Sequence, residues 1–312
     1  MRRATFILFL SILLSGCASP FAPVILAPVD TPVISSPQEL PEKFCNQPGE
    51  EKMDIVSWTI GKVRLCTGTV IKLPSSGTRE EYSEGRFFQD GRYFVYIREF
   101  VNQDIGIIDV ETGKVETLFR KSEFFPDAVT ISGVAITPDG RRIIFVVLWP
   151  DEVDLVKIDL ANKQLQRLYT DVLVTGFGHP DISQDEKIVV KCAKVSGTKP
   201  VSELCLLNEN GKFIRYLTAE GYPWPGNGRF TPDGKWVVYE SRYKLYKVRV
   251  DGSGRQEIAP CSAAGPEIVT NSHVITSCYI SAEPYCEALF IASLDGTYFR
   301  RIGYLEPVCV SK

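Results

Sequence analysis

Residues 228–241 read GRFTPDGKWVVYES, a Pro-Asp-Gly turn followed by a run rich in Val, Trp and Tyr. Related phrases stand at 87–98 (FFQDGRYFVYIR), 136–147 (ITPDGRRIIFVV) and 182–193 (ISQDEKIVVKCA). Aligned on the turn residue, Asp90, Asp139, Asp185 and Asp233 follow one another at intervals of 49, 46 and 48, and a weaker copy, IVTNSHVITSCYI, places Asn271 38 further on. A fixed period of this size is a statement about architecture. Asp-Gly between two short apolar segments signals a hairpin, because both residues accept positive φ.

Each copy continues in the same order. The strand after the turn (YFVYIRE, RIIFVVLW, KIVVKCAK, KWVVYES, HVITSCYI) is followed by a third segment (DIGIIDV, VDLVKIDL, ELCLLNE, KLYKVRV, ALFIASL), a second tight turn, and a last strand (KVETLF, LQRLYT, FIRYLT, RQEIA, YFRRIG). The unit is a four-stranded antiparallel meander, and no helical pattern interrupts it. One such sheet cannot bury both of its faces, and radial stacking of copies solves this. The expected fold is therefore all-β, a β-propeller of four-stranded antiparallel blades. A β-sandwich would not produce a repeat with this internal order. Five copies are clear. Residues 45–75 hold MDIVSWTI, KVRLCTG and TVIKL without a leading strand, and the C-terminal YLEPVCVSK stands where such a strand belongs. The expectation is a six-bladed ring over 45–312 closed by the C-terminal strand, with five blades as the alternative.

The Pro-Asp-Gly-Lys/Arg turn before an apolar strand resembles the TolB-type propeller repeat, most closely at Thr137-Pro138-Asp139-Gly140 and Thr231-Pro232-Asp233-Gly234. It is also similar to the propellers of prolyl oligopeptidase-type peptidases. Asp185-Glu186 and Asn271-Ser272 depart from the pattern. The resemblance speaks to fold and little to function. TolB has an additional N-terminal α/β domain, and a Pro-rich segment stands in its place here.

The N-terminal MRRATFILFLSILLSGC has two Arg, an apolar stretch from Ala4 to Leu14 and then small residues, the pattern of an export signal. The apolar stretch is shorter than the roughly 20 residues of a membrane span. Leu14-Ser15-Gly16-Cys17 resembles the lipobox of bacterial lipoproteins. That resemblance implies cleavage of residues 1–16 and acylation of Cys17, and several acyl chains make a stable anchor. Residues 17–44 then hold the lipidated Cys and a Pro-rich tether, where Pro forbids a regular helix or a paired strand.

With Cys17 assigned to lipid, eight of nine Cys remain: Cys45, Cys66, Cys192, Cys205, Cys261, Cys278, Cys286 and Cys309. An even remainder in an exported chain implies disulfides. Cys192 and Cys205 fall on the second and third strands of one unit, as do Cys278 and Cys286 of another, and antiparallel neighbours reach bonding distance. Those two pairs are expected. Cys45, Cys66, Cys261 and Cys309 fall near the ring closure with their pairing open.

The net charge of −3 gives no case for nucleic acid. Only two His are present, no CxxC, GxSxG, HExxH, P-loop or GxGxxG occurs, and no carboxylate pair can be assigned as acid and base. No enzyme activity, metal or cofactor is therefore expected. His179, in GFGHPDIS with Asp181 nearby, is a candidate ligand-binding group near the central channel, or a polar residue packed at a strand start. His273 is expected at the surface. A rim stands out more. The connections between units and the second-to-third strand loops share one side of a meander propeller, opposite the Asp-Gly turns. They carry Phe124, Phe125, Trp149, Phe177, Tyr222, Trp224, Tyr243 and Tyr285. Loop aromatics are common in recognition surfaces; packing between blades is the alternative. Trp224, between two Pro, is the foremost candidate.

The resulting expectation is a monomeric cell-envelope lipoprotein. Its propeller binds or scaffolds an unidentified protein or glycan, and it meets the membrane through its lipid alone. A propeller hydrolase or lyase acting on polysaccharide or peptide is the alternative.

Overall fold

The computed structural model describes residues 54–57, 61–64, 70–71, 83–88, 92–98 and 103–304, the last stretch with gaps at 110–111, 169, 171–172, 175–178, 197–198, 220–224, 263–265 and 283–284. Cys17, the Pro-rich segment, Cys45, Cys66, Cys309, Phe177, Tyr222, Trp224 and the segment expected to close the ring lie outside the described residues.

The repeat is a blade, as the period implies. After a three-stranded sheet of β1 (Asp54–Ser57), β2 (Gly61–Arg64) and β3 (Val70–Ile71), four-stranded antiparallel sheets follow in sequence. Blade 1 is β4 (Ser83–Phe88), β5 (Tyr93–Ile97), β6 (Ile105–Asp109) and β7 (Lys114–Phe119). A single helical turn, α1 (Lys121–Phe124), leads to blade 2: β8 (Thr130–Ile136), β9 (Arg142–Leu148), β10 (Val153–Asp159) and β11 (Gln164–Leu168). Blade 3 begins with two short pieces, β12 (Leu173–Val174) and β13 (Asp181–Ile182), and continues as β14 (Ile188–Ser196), β15 (Lys199–Leu207) and β16 (Phe213–Tyr216). Blade 4 is β17 (Pro225–Phe230), β18 (Trp236–Ser241), β19 (Lys244–Arg249) and β20 (Gln256–Ala259). Blade 5 is β21 (Pro266–Val269), β22 (His273–Ala282), β23 (Tyr285–Ser293) and β24 (Phe299–Tyr304). Among the described residues the structure thus shows five four-stranded blades, the alternative count, and the six-blade expectation is not confirmed. Among the described residues the sheet of β1–β3 has three strands, and β1 lies beside β21.

The second strands read as unbroken apolar runs because both of their faces are covered. In β9, Ile143, Phe145 and Val147 join Val95, Ile97 and Phe119 of blade 1, while Ile144 and Val146 join Ile188, Val190 and Cys205 of blade 3. In β18, Val237 and Tyr239 pack with Leu204 and Leu206 of blade 3, and Val238 packs with Val274 and Ala292 of blade 5. The period-2 alternation of a strand sends its side chains alternately to the preceding and the following blade. No blade buries itself, which is why the sequence must repeat.

The repeated phrase has a geometric cause. Thr137 Oγ1 donates to Asp139 at 2.6 Å and accepts the Arg142 N–H at 3.0 Å. Ser183 with Asp185, and Thr231 with Asp233, repeat the contact at 2.6 Å. Burial works against these carboxylates, yet hydrogen bonds from Thr137 and the Arg141 N–H hold Asp139 below its ordinary range, and Asp185 and Asp233 are lowered similarly. Gly140 and Gly234 follow at φ 72° and 67°; in blade 3 Glu186 takes the same place at φ 59°. The Asp185-Glu186 turn therefore forms despite its departure from Asp-Gly. The fifth turn is shorter: the Thr270 N–H donates to the His273 carbonyl at 2.8 Å. His273 is buried there, not at the surface, with Nδ1 2.9 Å from Ser272 Oγ and its ring edge-on to Tyr298.

One expected disulfide is present, Cys192–Cys205, with Cα atoms 5.9 Å apart. Cys192 lies opposite Glu203 and Cys205 opposite Val190, so the bond runs diagonally across one face of the β14–β15 ladder. The expected Cys278–Cys286 bond is not formed; Cys278 pairs with Cys261, Cα atoms 5.7 Å apart. The register explains this. Cys278 stands opposite Ala288 and Cys286 opposite Ser281, with a bulge between Tyr279 and Ser281. Cys261, in the connection after β20, reaches Cys278 instead and ties the linker between blades 4 and 5 to blade 5.

Candidate functional site at the propeller axis

The first strand of each blade neighbours the first strand of the next, β4 beside β8, β8 beside β13, β13 beside β17 and β17 beside β21. These strands surround the axis, and none runs regularly. The ladder slips between Ser83 and Arg86, between Ser132 and Ala135, between Pro225 and Gly228, and between Pro266 and Ile268. In blade 3 two short pieces pair with β14: β12 with Cys192 and Ala193, and β13 with Ile188 and Val189. Bulges re-aim side chains and concentrate beside functional sites.

Below the slips the strands fall back into register. Arg86 faces Val95, Ala135 faces Ile144, Asp181 faces Val189, Arg229 faces Val238 and Ile268 faces Ile275. These five residues occupy equivalent places around the ring, and three of them are charged. Lys191 of β14 stands at the break between β12 and β13, and His179 immediately precedes β13. Glu240 of β18 lies over Gly226 of β17, where an added Cβ would come within 2.5 Å of its Oε2. The backbone at Gly226 must stay bare for Glu240 to occupy that space.

Arg86, His179, Asp181, Lys191, Arg229 and Glu240 share one property: each keeps part of its surface accessible, although burial is the main influence on the four whose pKa moves. Burial, then the charges of Arg86, Arg229 and Lys191, hold His179 down to about 3, so its imidazole is neutral. Burial raises the Asp181 carboxyl, against the opposing pull of Arg86, the Phe230 N–H and Arg229. Burial lowers Lys191, with Glu240 opposing, and raises Glu240, with the Tyr243 N–H and Lys191 opposing. Three basic residues thus stand near two acidic ones.

The aromatic candidates divide. Phe124 is 50% exposed and stacks on Phe119 at 4.5 Å; Tyr243 is 49% exposed. Phe125 is buried in the core between blades 1 and 2, and half-buried Trp149 stands edge-on to it, its Nε1 donating to Asp154 at 2.7 Å. Those two are packing residues. The backbone of Tyr285 lies in β23, and its side chain is outside the described residues. Among the site candidates whose side chains are described, His179 alone enters the axial cluster. Arg86, Arg229, Lys191 and Glu240 escaped the sequence reading. For Arg86 and Arg229 the signal was a charge four residues before the turn Asp, where blade 2 carries Ala135; Lys191 and Glu240 lie on second strands and had no such signal. Among the described residues no group of three His, Cys, Asp or Glu is placed to hold a metal ion.

No protein-family model matches the chain, and no curated protein matches it. Solved structures do. TolB from Acinetobacter baumannii aligns with TM-score 0.55 at 18% identity, over 71% of this chain and 54% of that one. A putative TolB from Agrobacterium tumefaciens aligns with TM-score 0.57 at 16% identity, over 73% and 82%. Oligogalacturonate lyase from Vibrio parahaemolyticus aligns with TM-score 0.53 at 14% identity, over 78% and 70%. The chain carries a TolB-like β-propeller fold. The matched part spans little more than half of the Acinetobacter protein. The expectation of a protein without enzyme activity is corrected by the third match: the same fold serves a lyase, so a lack of catalytic motifs in the sequence does not exclude catalysis.

Proposed function

We propose that the protein is an exported lipoprotein, anchored through Cys17, whose propeller binds a protein or glycan of the cell envelope. One observation supports it above the rest. Of the seven exposed large apolar residues among those described, Phe124 and Val129 fall in the connection between blades 1 and 2 and Tyr243 in the second-to-third strand hairpin of blade 4, while Leu173 lies in β12 and Tyr279 in β22. Val115 and Ile214 lie on outermost strands. Exposed apolar groups gathered on one side mark interaction sites. No helix among the described residues is long and apolar enough to cross a membrane. The test is capture from detergent-solubilised envelopes by tagged protein, compared with the Phe124→Ala/Tyr243→Ala double variant. A ligand lost by the variant supports the rim; one held equally removes the rim from the reading. Cys17→Ser is expected to lose acyl labelling and membrane association.

A second reading, an enzyme acting on envelope or extracellular polysaccharide or peptide, is favoured by the neutral His179 beside Lys191 and two Arg in the axial cluster. Such cations can offset developing charge, and a neutral imidazole can donate or accept a hydrogen bond. Turnover of acidic polysaccharide by purified protein, lost in His179→Gln, would support it.

A further inference from the structure

We infer that the rim around blade 3 is a self-complementary surface through which two copies of this chain associate, the basic hairpin of blade 4 meeting the acidic hairpin of blade 2 on the second copy. The inference rests on the rim-binding reading and names the chain itself as the partner.

The hairpin of blade 4 is the starting observation. Ser241 pairs with Lys244, so Arg242 and Tyr243 alone make the turn. Both take positive φ, 52° and 59°. A two-residue hairpin of this form favours Asn-Gly, because few side chains visit that region without strain. The turn is held from both sides. The Tyr243 N–H donates to Glu240 Oε1 at 3.2 Å, and its carbonyl accepts the Ser262 N–H at 2.7 Å, next to the Cys261–Cys278 bond. Strain that the surroundings hold in place clusters at functional sites. What this turn presents is an exposed cation and a ring that is 49% exposed. Arg242 has no ion pair among the described residues, whereas Lys244 is engaged by Glu257 at 2.9 Å.

Blade 2 carries the complement. Its hairpin is closed by the Trp149 N–H donating to the Glu152 carbonyl, with Pro150 and Asp151 exposed at the tip. Glu152 is engaged by Arg167, and Asp151 has no ion pair among the described residues. Val129, 60% exposed, lies beside this hairpin, its N–H donating to the Leu148 carbonyl. Blades 2 and 4 flank blade 3 in the ring. Turning a second copy over about a line through blade 3 therefore sets each Arg242 against the other copy's Asp151, and each Tyr243 against Pro150 and Val129. A two-fold contact of this kind uses the same patch twice. Near its centre stands Leu173, 68% exposed, in β12 towards the rim end of β14. The same rotation brings it towards its own copy. An apolar centre flanked by charge pairs, with Tyr and Arg at the contacts, has the composition of a protein interface.

The measurement is co-capture of two differently tagged full chains, purified and mixed in detergent. Wild-type copies are expected to capture each other, less so as salt rises. Anchored copies sharing a micelle would be captured whatever their charges, so the variants decide. Arg242→Glu is expected to lose capture of itself roughly tenfold or more, and Asp151→Arg likewise. Mixed together, these two variants should capture each other as wild type does, because each altered charge meets its opposite at both contacts. A damaged fold does not produce that outcome. Arg242→Asn/Tyr243→Gly is expected to leave the denaturant midpoint at or above that of wild type while losing capture. No capture between wild-type copies, self-capture retained by either charge variant, no restoration in the mixture, or a lower midpoint for the double variant would overturn the inference. Wild-type copies that ignore each other, together with an envelope ligand lost in Phe124→Ala/Tyr243→Ala, would remove this inference and leave the rim reading standing.

Discussion

The backbone N–H of Phe230, in the innermost strand of blade 4, donates to Oδ2 of Asp181, in the innermost strand of blade 3, at 2.7 Å. The two residues are 49 apart in sequence, and the bond joins neighbouring blades at the axis. Asp181 therefore serves packing and charge together. Asp181→Ala leaves the Phe230 N–H without this acceptor and is expected to destabilise by about 1–3 kcal/mol, the cost of an unsatisfied buried group. Asp181→Asn keeps an oxygen for the same N–H and should cost less. Chemical denaturation of the two variants checks the order. Equal losses would mean that the carboxylate charge, rather than the acceptor, holds the blades together.

The Cys192–Cys205 and Cys261–Cys278 bonds close short loops, with sequence separations of 13 and 17. A disulfide of this span stabilises by about 3 kcal/mol through the unfolded state. The Cys192→Ser/Cys205→Ser variant is expected to lose roughly that amount, less some recovery from packing of the small side chains. Non-reducing peptide mapping should link 192 with 205 and 261 with 278. A peptide joining Cys278 to Cys286 would contradict the β22–β23 register. The two bonds leave Cys17, Cys45, Cys66, Cys286 and Cys309 as the remaining five.

The repeat was legible because it rests on local chemistry. A Thr or Ser two residues before an Asp makes the same hydrogen bonds in blades 2, 3 and 4, and two-sided burial turns each second strand into a continuous apolar run. Blade count and cysteine pairing were less legible, because both depend on where chain segments meet after folding. Cys261 could not be matched to Cys278 without the path of the linker after β20. The axial cluster was hidden for a similar reason. Arg86 and Arg229 read as ordinary polar positions on strands that otherwise alternate, and only superposition of the blades shows them opposite Ala135, Asp181 and Ile268. Trp149 misled in the other direction: its place in a loop suggested exposure, but Phe125 draws it into the core.

His179 gives the stability a pH slope. Its folded pKa of about 3 lies below the ordinary 6.5, so between those values the unfolded chain binds a proton that the folded chain does not. Stability contributed by the neutral imidazole is complete above 6.5 and is lost as pH falls towards 3, at up to about 1.4 kcal/mol per pH unit. Asp181 acts oppositely. Its raised folded pKa means that its contribution is lost as pH rises. Comparing wild type with His179→Gln isolates the first effect. The slope between pH 4 and pH 6 is expected to flatten in the variant, read from denaturant midpoints across that range. An unchanged slope would place His179 in contact with bulk water rather than among Arg86, Arg229 and Lys191.

Glu186 is the residue where turn geometry and blade-to-blade pairing compete. It holds φ 59° in the place where blades 2 and 4 use Gly140 and Gly234. From there it pairs with Arg142 of blade 2 and stands 3.5 Å from Lys157 Nζ. Substituting Gly removes a left-handed strain of about 1 kcal/mol, but the added freedom of the unfolded chain costs about the same. Those terms nearly cancel, which leaves the ion pairs to decide the sign. Lys157 is mostly buried, and burial already lowers its pKa, so loss of a carboxylate partner matters more than at an open surface. Glu186→Gly is expected to destabilise by about 1 kcal/mol at low salt, and Glu186→Gln, which keeps the turn geometry and loses only the charge, by a similar amount. High salt should narrow both gaps to wild type. If Glu186→Gly were instead more stable than wild type at low salt, the pairing between blades 2 and 3 would contribute nothing and relief of strain would dominate the turn.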